Sequence, residues 1–160
     1  MTTRRATLFA ILVALSGSAA AGVLPLPPNC TVGALNIVFP GYDFLRVSPT
    51  DTVGNIAVSC VGNAGDVVSY SLLLTRGSSP SFGVRTMLLG ARTLNYNLFA
   101  NAARTAIWGD GNDGSTIVTD SYALAASGST RSYAVYGRMF PGQNVPVGTY
   151  ADTIVVTVSY

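Results

Sequence analysis

The 160-residue sequence contains no histidine, no lysine and no glutamate. Charged residues make up 10% of the chain, nine Arg and seven Asp, against roughly 25% in an average globular domain. Without His, the chain lacks a general base that titrates near neutral pH and an imidazole ligand for a metal. A Ser-His-Asp arrangement cannot be built within it, and the composition points away from an enzyme.

Residues 1–21 have the pattern of a secretory signal peptide. Arg4 and Arg5 form a positive n-region, residues 8–15 (LFAILVAL) form an apolar h-region, and an A-x-A cleavage pattern ends at Ala21. The apolar run is shorter than the roughly 20 residues that cross a bilayer, so we expect export, cleavage and no remaining membrane span. Loss of both arginines leaves seven Arg against seven Asp, and this zero net charge argues against a nucleic-acid partner.

The chain has two cysteines, Cys30 and Cys60. An even number of cysteines in an exported chain predicts a disulfide. Closing a loop of about 31 residues would constrain the unfolded chain by about 3.5–4 kcal/mol. A redox or metal-binding thiol pair is the alternative, but the spacing matches no C-x-x-C or zinc motif. We therefore expect a structural bridge, with no metal site and no cofactor.

The part of the chain after the signal peptide has the alternation typical of β-strands. Short runs rich in Val, Ile, Thr, Tyr and Leu are separated by Gly, Ser, Asn and Pro clusters, which predicts an all-β sandwich or barrel. Strands are predicted near residues 30–39, 55–61, 67–75, 94–99, 117–123, 131–138 and 150–160. In the last of these, period-two spacing puts Ile154, Val156, Val158 and Tyr160 on one face. This apolar strand either pairs on both sides or leaves one edge open.

An ordered set of short motifs indicates a family. The chain carries, in order, YSL (70–72), LNYNLF (94–99), WGDG (108–111), YGR (136–138), PGQN (141–144) and VGTYADT (147–153). In order and spacing these motifs, with the two cysteines before them, resemble the spore coat protein U domain family. That family includes the subunits of archaic (Csu-type) chaperone–usher pili. The resemblance covers residues 30–160, and we treat these residues as one domain.

The resemblance implies an immunoglobulin-like β-sandwich that is incomplete because it lacks its last strand. Its groove, beside the C-terminal strand, would be filled first by a periplasmic chaperone and, after passage through an outer-membrane usher, by a segment of a neighbouring subunit. Such strand addition takes its affinity from backbone hydrogen bonds and its specificity from alternate side chains. By this analogy Ile154, Val156, Val158 and Tyr160 would border the groove and contact the chaperone. The implied function is that of an exported structural subunit of a surface pilus, with a role in adhesion or biofilm formation.

The segment before the first cysteine departs from the family pattern. Polymerising members donate a stretch of alternating apolar residues there, whereas residues 22–29 (GVLPLPPN) form a short lead with three prolines. At about 3.3 Å per residue this lead spans at most roughly 26 Å, and proline is disfavoured inside an inserted strand. The chain is therefore expected to accept a strand but to be a poor donor, which suits a terminal or tip position in a fibre.

Four further interpretations concern individual side chains or short segments. A stand-alone secreted coat or carbohydrate-binding module is the alternative function, with Trp108 and Asp110 as a weak surface ligand site, although packing in the core is the commoner role of such a Trp. Residues 110–114 loosely resemble a calcium loop but lack its closing Glu, so a glycine-rich turn is favoured. Arg138 is a candidate for a cross-strand ion pair with Asp152. The spacing of the seven Asp residues selects no catalytic pair.

Overall fold

The computed structural model describes residues 27–160, so the predicted signal peptide and most of the 22–29 lead lie outside the described residues. Residues 27–160 form eight β-strands and no helix, and hence no helix that could cross a membrane. The strands are β1 (Asn29–Ala34), β2 (Thr50–Val61), β3 (Val67–Leu74), β4 (Arg85–Leu89), β5 (Arg92–Phe99), β6 (Val118–Ala123), β7 (Gly128–Met139) and β8 (Val156–Ser159).

The strands form two sheets. The five-stranded sheet has the order β1-β2-β7-β5-β4, and the three-stranded sheet has the order β6-β3-β8. All six pairings are antiparallel. Antiparallel sheets commonly bury one face and leave the other to solvent, which explains the alternation along each strand. The predicted all-β, two-sheet sandwich is confirmed.

The core lies between the sheets and is built from alternate residues of the longer strands. β3 shows the rule most clearly, since Val68, Tyr70, Leu72 and Leu74 are buried while the residues between them are more exposed. Each fully buried aliphatic side chain contributes about 1.5–3 kcal/mol relative to leaving it exposed. The other buried positions include Ile56 and Val58 of β2, Leu94, Tyr96 and Leu98 of β5, Val135 and Met139 of β7, and Trp108.

A disulfide joins β1 to β2. Cys30 and Cys60 lie opposite one another in the β1–β2 register, both are buried, and their sulfur atoms are bonded. The bridge fixes the edge strand of the five-stranded sheet to its neighbour at an inward-facing position. The predicted Cys30–Cys60 disulfide is confirmed.

The first and last strands are shorter than predicted. β1 ends at Ala34, because beyond Leu35 the chain leaves the β2 ladder. The last strand is confined to Val156–Ser159, because the residues before it follow a different course along the edge of β4.

β4 was missed by the sequence interpretation. It pairs with β5 through a two-residue loop in which Gly90 has a φ of 56°, a conformation that glycine adopts without strain. The sequence feature that could have indicated this hairpin was therefore Gly90, the single glycine between two short strands. On its outer edge, Leu88 exchanges two backbone hydrogen bonds with Ala151 (2.8 and 3.1 Å), so the chain around Ala151 covers this edge of the five-stranded sheet.

Candidate functional site: an apolar groove beside an unpaired strand

β8 forms one edge of the three-stranded sheet. Its residues pair with Ser71–Leu74 of β3, and within residues 27–160 its other edge carries no partner strand. Val156 and Val158 turn toward the sandwich interior, while Thr157 and Ser159 are exposed. An unpaired edge presents a row of N–H and C=O groups that can pair with another strand.

A groove of about 1080 Å³ opens between the sheets beside this edge. It exceeds the upper end of ordinary small-ligand pockets, about 1,000 Å³. Its floor is apolar, and its two walls are residues 35–44 (the first wall) and residues 145–152 (the second wall), with Ile154 and Val156 continuing the second. Floor residues include Ile56, Leu74, Met87, Leu94, Tyr96, Leu98, Val135 and Met139.

The first wall rests on two glycines of the five-stranded sheet. A side chain at Gly54 would collide with Ile37, and one at Gly137 would approach the ring of Phe39 to 2.8 Å. The absence of side chains at these two positions lets Ile37 and Phe39 pack directly on the sheet. Phe39 also meets the floor residue Tyr96 edge to face, with ring centroids 6.0 Å apart. The first wall is thus seated on the core.

The far end of the first wall is held by hydrogen bonds. The Tyr42 hydroxyl donates to the Phe140 carbonyl (3.0 Å) and accepts from the Gln143 N–H (2.8 Å). At the other end, the Leu35 N–H donates to the Asn55 carbonyl at 3.3 Å. These contacts fix one end of the wall to β2 and the other to the loop that follows β7, so the groove is bounded by anchored chain.

The second wall is anchored by Asp152. Its carboxylate accepts hydrogen bonds from the Tyr96 hydroxyl (2.7 Å) and from the backbone N–H and hydroxyl of Ser78 (both 2.9 Å). Burial, together with the hydrogen bond to Asp152, raises the pKa of Tyr96 far above its ordinary value. The phenol therefore stays protonated and keeps donating, which ties the second wall to the groove floor.

The rim of the groove carries exposed apolar side chains. Val38 and Leu45 are about three-quarters exposed on the first wall or just beyond it, and Val147 is fully exposed on the second. Single exposed apolar residues are ordinary, but a cluster around an apolar groove is typical of a surface that another chain covers. The arrangement can accept an extended apolar peptide.

The four residues predicted to border the groove divide into two pairs. Ile154 and Val156 line it, whereas Val158 and Tyr160 are not among its lining residues. Val158 packs on the core, and Tyr160 is 64% exposed and donates its hydroxyl to Asn29 Oδ1 at 3.0 Å. This contact lies where β1 comes against β8, so the groove closes at that end.

Trp108 and Asp110, the weak candidate ligand site, have other roles in the structure. Trp108 is fully buried, and its Nε1–H donates to the Leu72 carbonyl at 3.1 Å, so neither ring face is open to a sugar. Asp110 accepts from the Asn112 N–H at 2.9 Å inside a turn, where Gly111 and Gly114 have positive φ. The stretch 110–114 is the glycine-rich turn that was favoured over a calcium loop. The part of the chain that the structure describes holds no cluster of three potential metal ligands.

Arg138 pairs with Asp51, which corrects the expected pair with Asp152. The β2–β7 register places Asp51 directly opposite Arg138, and the guanidinium forms two hydrogen bonds of 2.8 Å with the carboxylate. The hydrogen bond from Arg138 holds the pKa of Asp51 below its usual value. This pair lies on the outer face of the five-stranded sheet, away from the groove.

The other edge of the three-stranded sheet, β6, is closed by a polar cluster. Asp120 points between the sheets, where it pairs with Arg131 (3.0 Å) and accepts a short hydrogen bond from the Tyr133 hydroxyl. The Arg131 guanidinium also lies 3.9 Å from the ring centroid of Tyr122. The hydrogen bond from Tyr133, aided by Arg131, lowers the pKa of Asp120. β6 thus carries an inward charge, which β8 lacks.

The walls were the part of the site that the sequence did not reveal. Neither residues 35–44 nor residues 145–152 form ladder strands, so the period-two pattern gave no sign that they face each other across a groove. The available signals were two interior glycines, Gly54 and Gly137, and the aspartate Asp152 shortly before the apolar last strand.

Comparisons with known proteins agree with this geometry. A family model described as Spore Coat Protein U domain matches residues 18–157. Protein U of Myxococcus xanthus is 32% identical over 111 residues, which cover 67% of this chain and 59% of that protein. Among solved structures, a chain of the CsuC–CsuE chaperone–tip adhesion subunit pre-assembly complex from the archaic chaperone–usher Csu pili of Acinetobacter baumannii is similar, with a TM-score of 0.56 and 22% identity. That match covers 83% of this chain and 40% of that chain, and it shows likeness of fold.

Proposed function

The chain belongs to the Spore Coat Protein U domain family, and from this premise we propose that it is an exported structural subunit of a chaperone–usher surface fibre. Its work is to accept a strand from another chain, with no chemistry on a substrate. One observation carries the proposal, namely the unpaired edge of β8 beside an apolar groove of about 1080 Å³.

The groove offers an incoming strand both backbone and side-chain partners. β8 supplies free N–H and C=O groups, and the floor supplies apolar surface for every second side chain of the strand. The first wall runs opposite in direction to β8, since Asn29 lies beside Tyr160 while residues 34–42 face residues 145–156. A strand placed between them would extend the three-stranded sheet, and each buried aliphatic side chain would contribute about 1.5–3 kcal/mol.

The partners follow from this mechanism. A periplasmic chaperone would fill the groove after export, and a neighbouring subunit would replace it at an outer-membrane usher, so that the protein reaches the cell surface in a pilus. The Csu structure is described as a complex of a chaperone with a tip adhesion subunit, which supports the proposal of a terminal or tip position. The proposed role at that position is in adhesion or biofilm formation. The proline-rich lead, residues 22–29, supports the same position because it is poorly suited to be a donor strand.

Self-complementation tests the proposal. The full chain is expressed in the periplasm alone, and as a variant carrying, after Tyr160, a Gly/Ser linker and a test strand of alternating Val and Thr. A linker of about ten residues has a mean span of about 17 Å, and a ten-residue strand reaches about 33 Å. The control variant carries a strand of the same length in which Asp replaces Val.

We expect the Val/Thr variant to be a monomer with a raised Tm, while the chain alone and the control variant have a lower Tm and lose a larger fraction to aggregation or degradation. The physical reason is that the empty groove exposes apolar surface that the strand covers. A chain that is a stable monomer by itself, with a Tm unchanged by the added strand, would overturn the proposal. That result would favour the stand-alone coat or carbohydrate-binding module.

A further inference from the structure

Arg85 is a fully buried arginine at the start of β4. Its guanidinium donates to Asn97 Oδ1 (2.7 Å), to the Trp108 carbonyl (2.7 Å) and twice to the Thr75 carbonyl (3.0 and 3.3 Å). The ring of Phe82 lies 5.1 Å away on one side. Among the described residues no carboxylate lies within ion-pair distance of it.

A buried charge without a carboxylate partner is unfavourable, so we asked what the arginine contributes that an apolar residue would not. Burial lowers the pKa of Arg85 because holding a cation away from water is unfavourable. An apolar residue would fill the same volume without that cost. The difference an arginine makes is its fork of donors, which binds several carbonyl and amide oxygens at fixed angles.

One of those oxygens, the Thr75 carbonyl, belongs to a residue that contacts the edge of the groove. Thr75 follows the last residue of β3, and its carbonyl takes two of the bonds from Arg85. The same residue binds both backbone polar groups of Val155. The Thr75 N–H donates to the Val155 carbonyl (3.0 Å), and Thr75 Oγ1 accepts from the Val155 N–H (2.9 Å). Val155 immediately precedes β8, so Arg85, Thr75 and Val155 form a continuous chain of contacts to the unpaired edge.

β8 needs such support more than the other strands. It is only four residues long, it pairs on one side, and none of its side chains is fully buried. Strands with few buried contacts and exposed hydrogen bonds open most easily. An edge that frays cannot present its backbone groups in the spacing that an incoming strand requires.

We propose that Arg85 is a positioning residue of the acceptor groove, which acts through Thr75 to hold the start of β8 in the geometry that an added strand pairs with. The proposal rests on the proposed function of the groove. Arg85 does not touch the incoming strand, since its guanidinium is enclosed by Thr75, Phe82, Asn97 and Trp108.

The test compares Arg85→Lys, Thr75→Val and the double variant in the full chain. The probe is a synthetic capped peptide of alternating Val and Thr with an Arg at each end, about ten residues long. Its affinity is measured by the fluorescence anisotropy of a dye on its N-terminus, at matched folded fraction, which circular dichroism reports. Amide hydrogen exchange of β8 is measured on the same samples without peptide.

We expect Arg85→Lys to weaken peptide binding by about tenfold and to speed exchange in β8 while leaving β1, β2 and β7 unchanged, because a lysine ammonium cannot reproduce the forked hydrogen bonds that hold Thr75. Thr75→Val should weaken binding less. The double variant should lose little more than Arg85→Lys alone, because both residues act through one chain of contacts. The control Asp120→Asn, at the opposite edge, should leave peptide affinity at matched folded fraction unchanged.

Wild-type affinity and wild-type β8 exchange in Arg85→Lys would overturn the proposal, as would losses that simply add in the double variant. If Arg85→Lys does not fold, Arg85→Met, which fills a similar volume without donors, takes its place, and normal β8 exchange in that variant overturns the proposal. If the peptide fails to bind the wild-type chain, the proposed function fails. The exchange measurement then still decides whether Arg85 holds β8.

Discussion

β6 and β8 flank the same strand, β3, yet they present opposite edges. β6 carries the inward-pointing Asp120, which Arg131 and Tyr133 bind. β8 carries two inward valines and no charged residue, beside an apolar groove. An inward charge blocks edge-to-edge pairing because a new strand would bury it. The two edges of this sheet therefore differ in one inward charged side chain, and we expect that difference to decide which edge accepts another strand.

Placing a charged side chain on the inward face of β8, as β6 has, should have the largest effect. We expect Val156→Asp to weaken binding of the Val/Thr peptide by a hundredfold or more, because an unpaired carboxylate in a filled groove costs at least about 3 kcal/mol. The matched control is Thr157→Asp, one residue along the same strand but on its outer face. Equal losses in both variants would show that charge on β8, and not burial in the groove, is responsible.

Replacing the inward charge of β6 with an apolar side chain, as β8 has, should have the next largest effect. We expect Asp120→Val to lower the free energy of unfolding by about 1–3 kcal/mol, because the partly buried hydroxyl of Tyr133 and the guanidinium of Arg131 lose their acceptor. It should also produce concentration-dependent oligomers in sedimentation velocity, measured on the strand-complemented chain. Thr119→Val, on the outer face of β6, is the control. A monomeric Asp120→Val would mean that the charge does not protect this edge.

The two edges should also differ in their response to acid. The pKa of Asp120 is lowered in the folded state, chiefly by Tyr133, so its stabilisation is present above the unfolded pKa near 3.8 and is lost as pH falls through the lower folded value. We expect Tm to fall below about pH 4, with a shallower fall in Asp120→Asn. Val156–Ser159 contain no titratable side chain, so peptide affinity should be the same at pH 7 and pH 5. An identical acid slope in both proteins would contradict this account of Asp120.

Tyr160 gives the smallest expected effect. Replacing it by Phe removes an exposed hydrogen bond to Asn29, which costs less than about 1 kcal/mol of stability. Because that contact closes one end of the groove, we expect Tyr160→Phe to bind a longer Val/Thr peptide a few-fold more tightly and the ten-residue peptide equally well. Weaker binding of the longer peptide would instead mean that the Tyr160 hydroxyl contacts the strand, as the sequence interpretation had it.

Strands in which apolar and polar residues alternate, with the apolar face buried in the core, were predictable from the sequence. Residues 67–75 and 94–99 were found within a few residues of their true limits, because their inward side chains form the core. The disulfide followed from cysteine number and export. These features depend on local composition, which a single sequence contains.

The groove was predictable only through the family resemblance. The sequence predicted a first strand near residues 30–39, but Ile37 and Phe39 turn inward off the β2 ladder because Gly54 and Gly137 leave room for them. The inward position of Ile37 and Phe39 depends on glycines that are distant from them in sequence. The role of Arg85 was equally hidden, since its partners Thr75, Asn97 and Trp108 come from three separate segments.

Hydrogen exchange of the two edge strands, with the groove empty and filled, tests the central claim most directly. The amides of β8 that face the groove should exchange rapidly in the chain alone and become protected when the Val/Thr strand is added, because they gain backbone acceptors. The amides of β6 should not change. Unchanged exchange in β8, or protection that appears equally in β6, would contradict the claim that this protein offers one edge of its sheet to a partner strand.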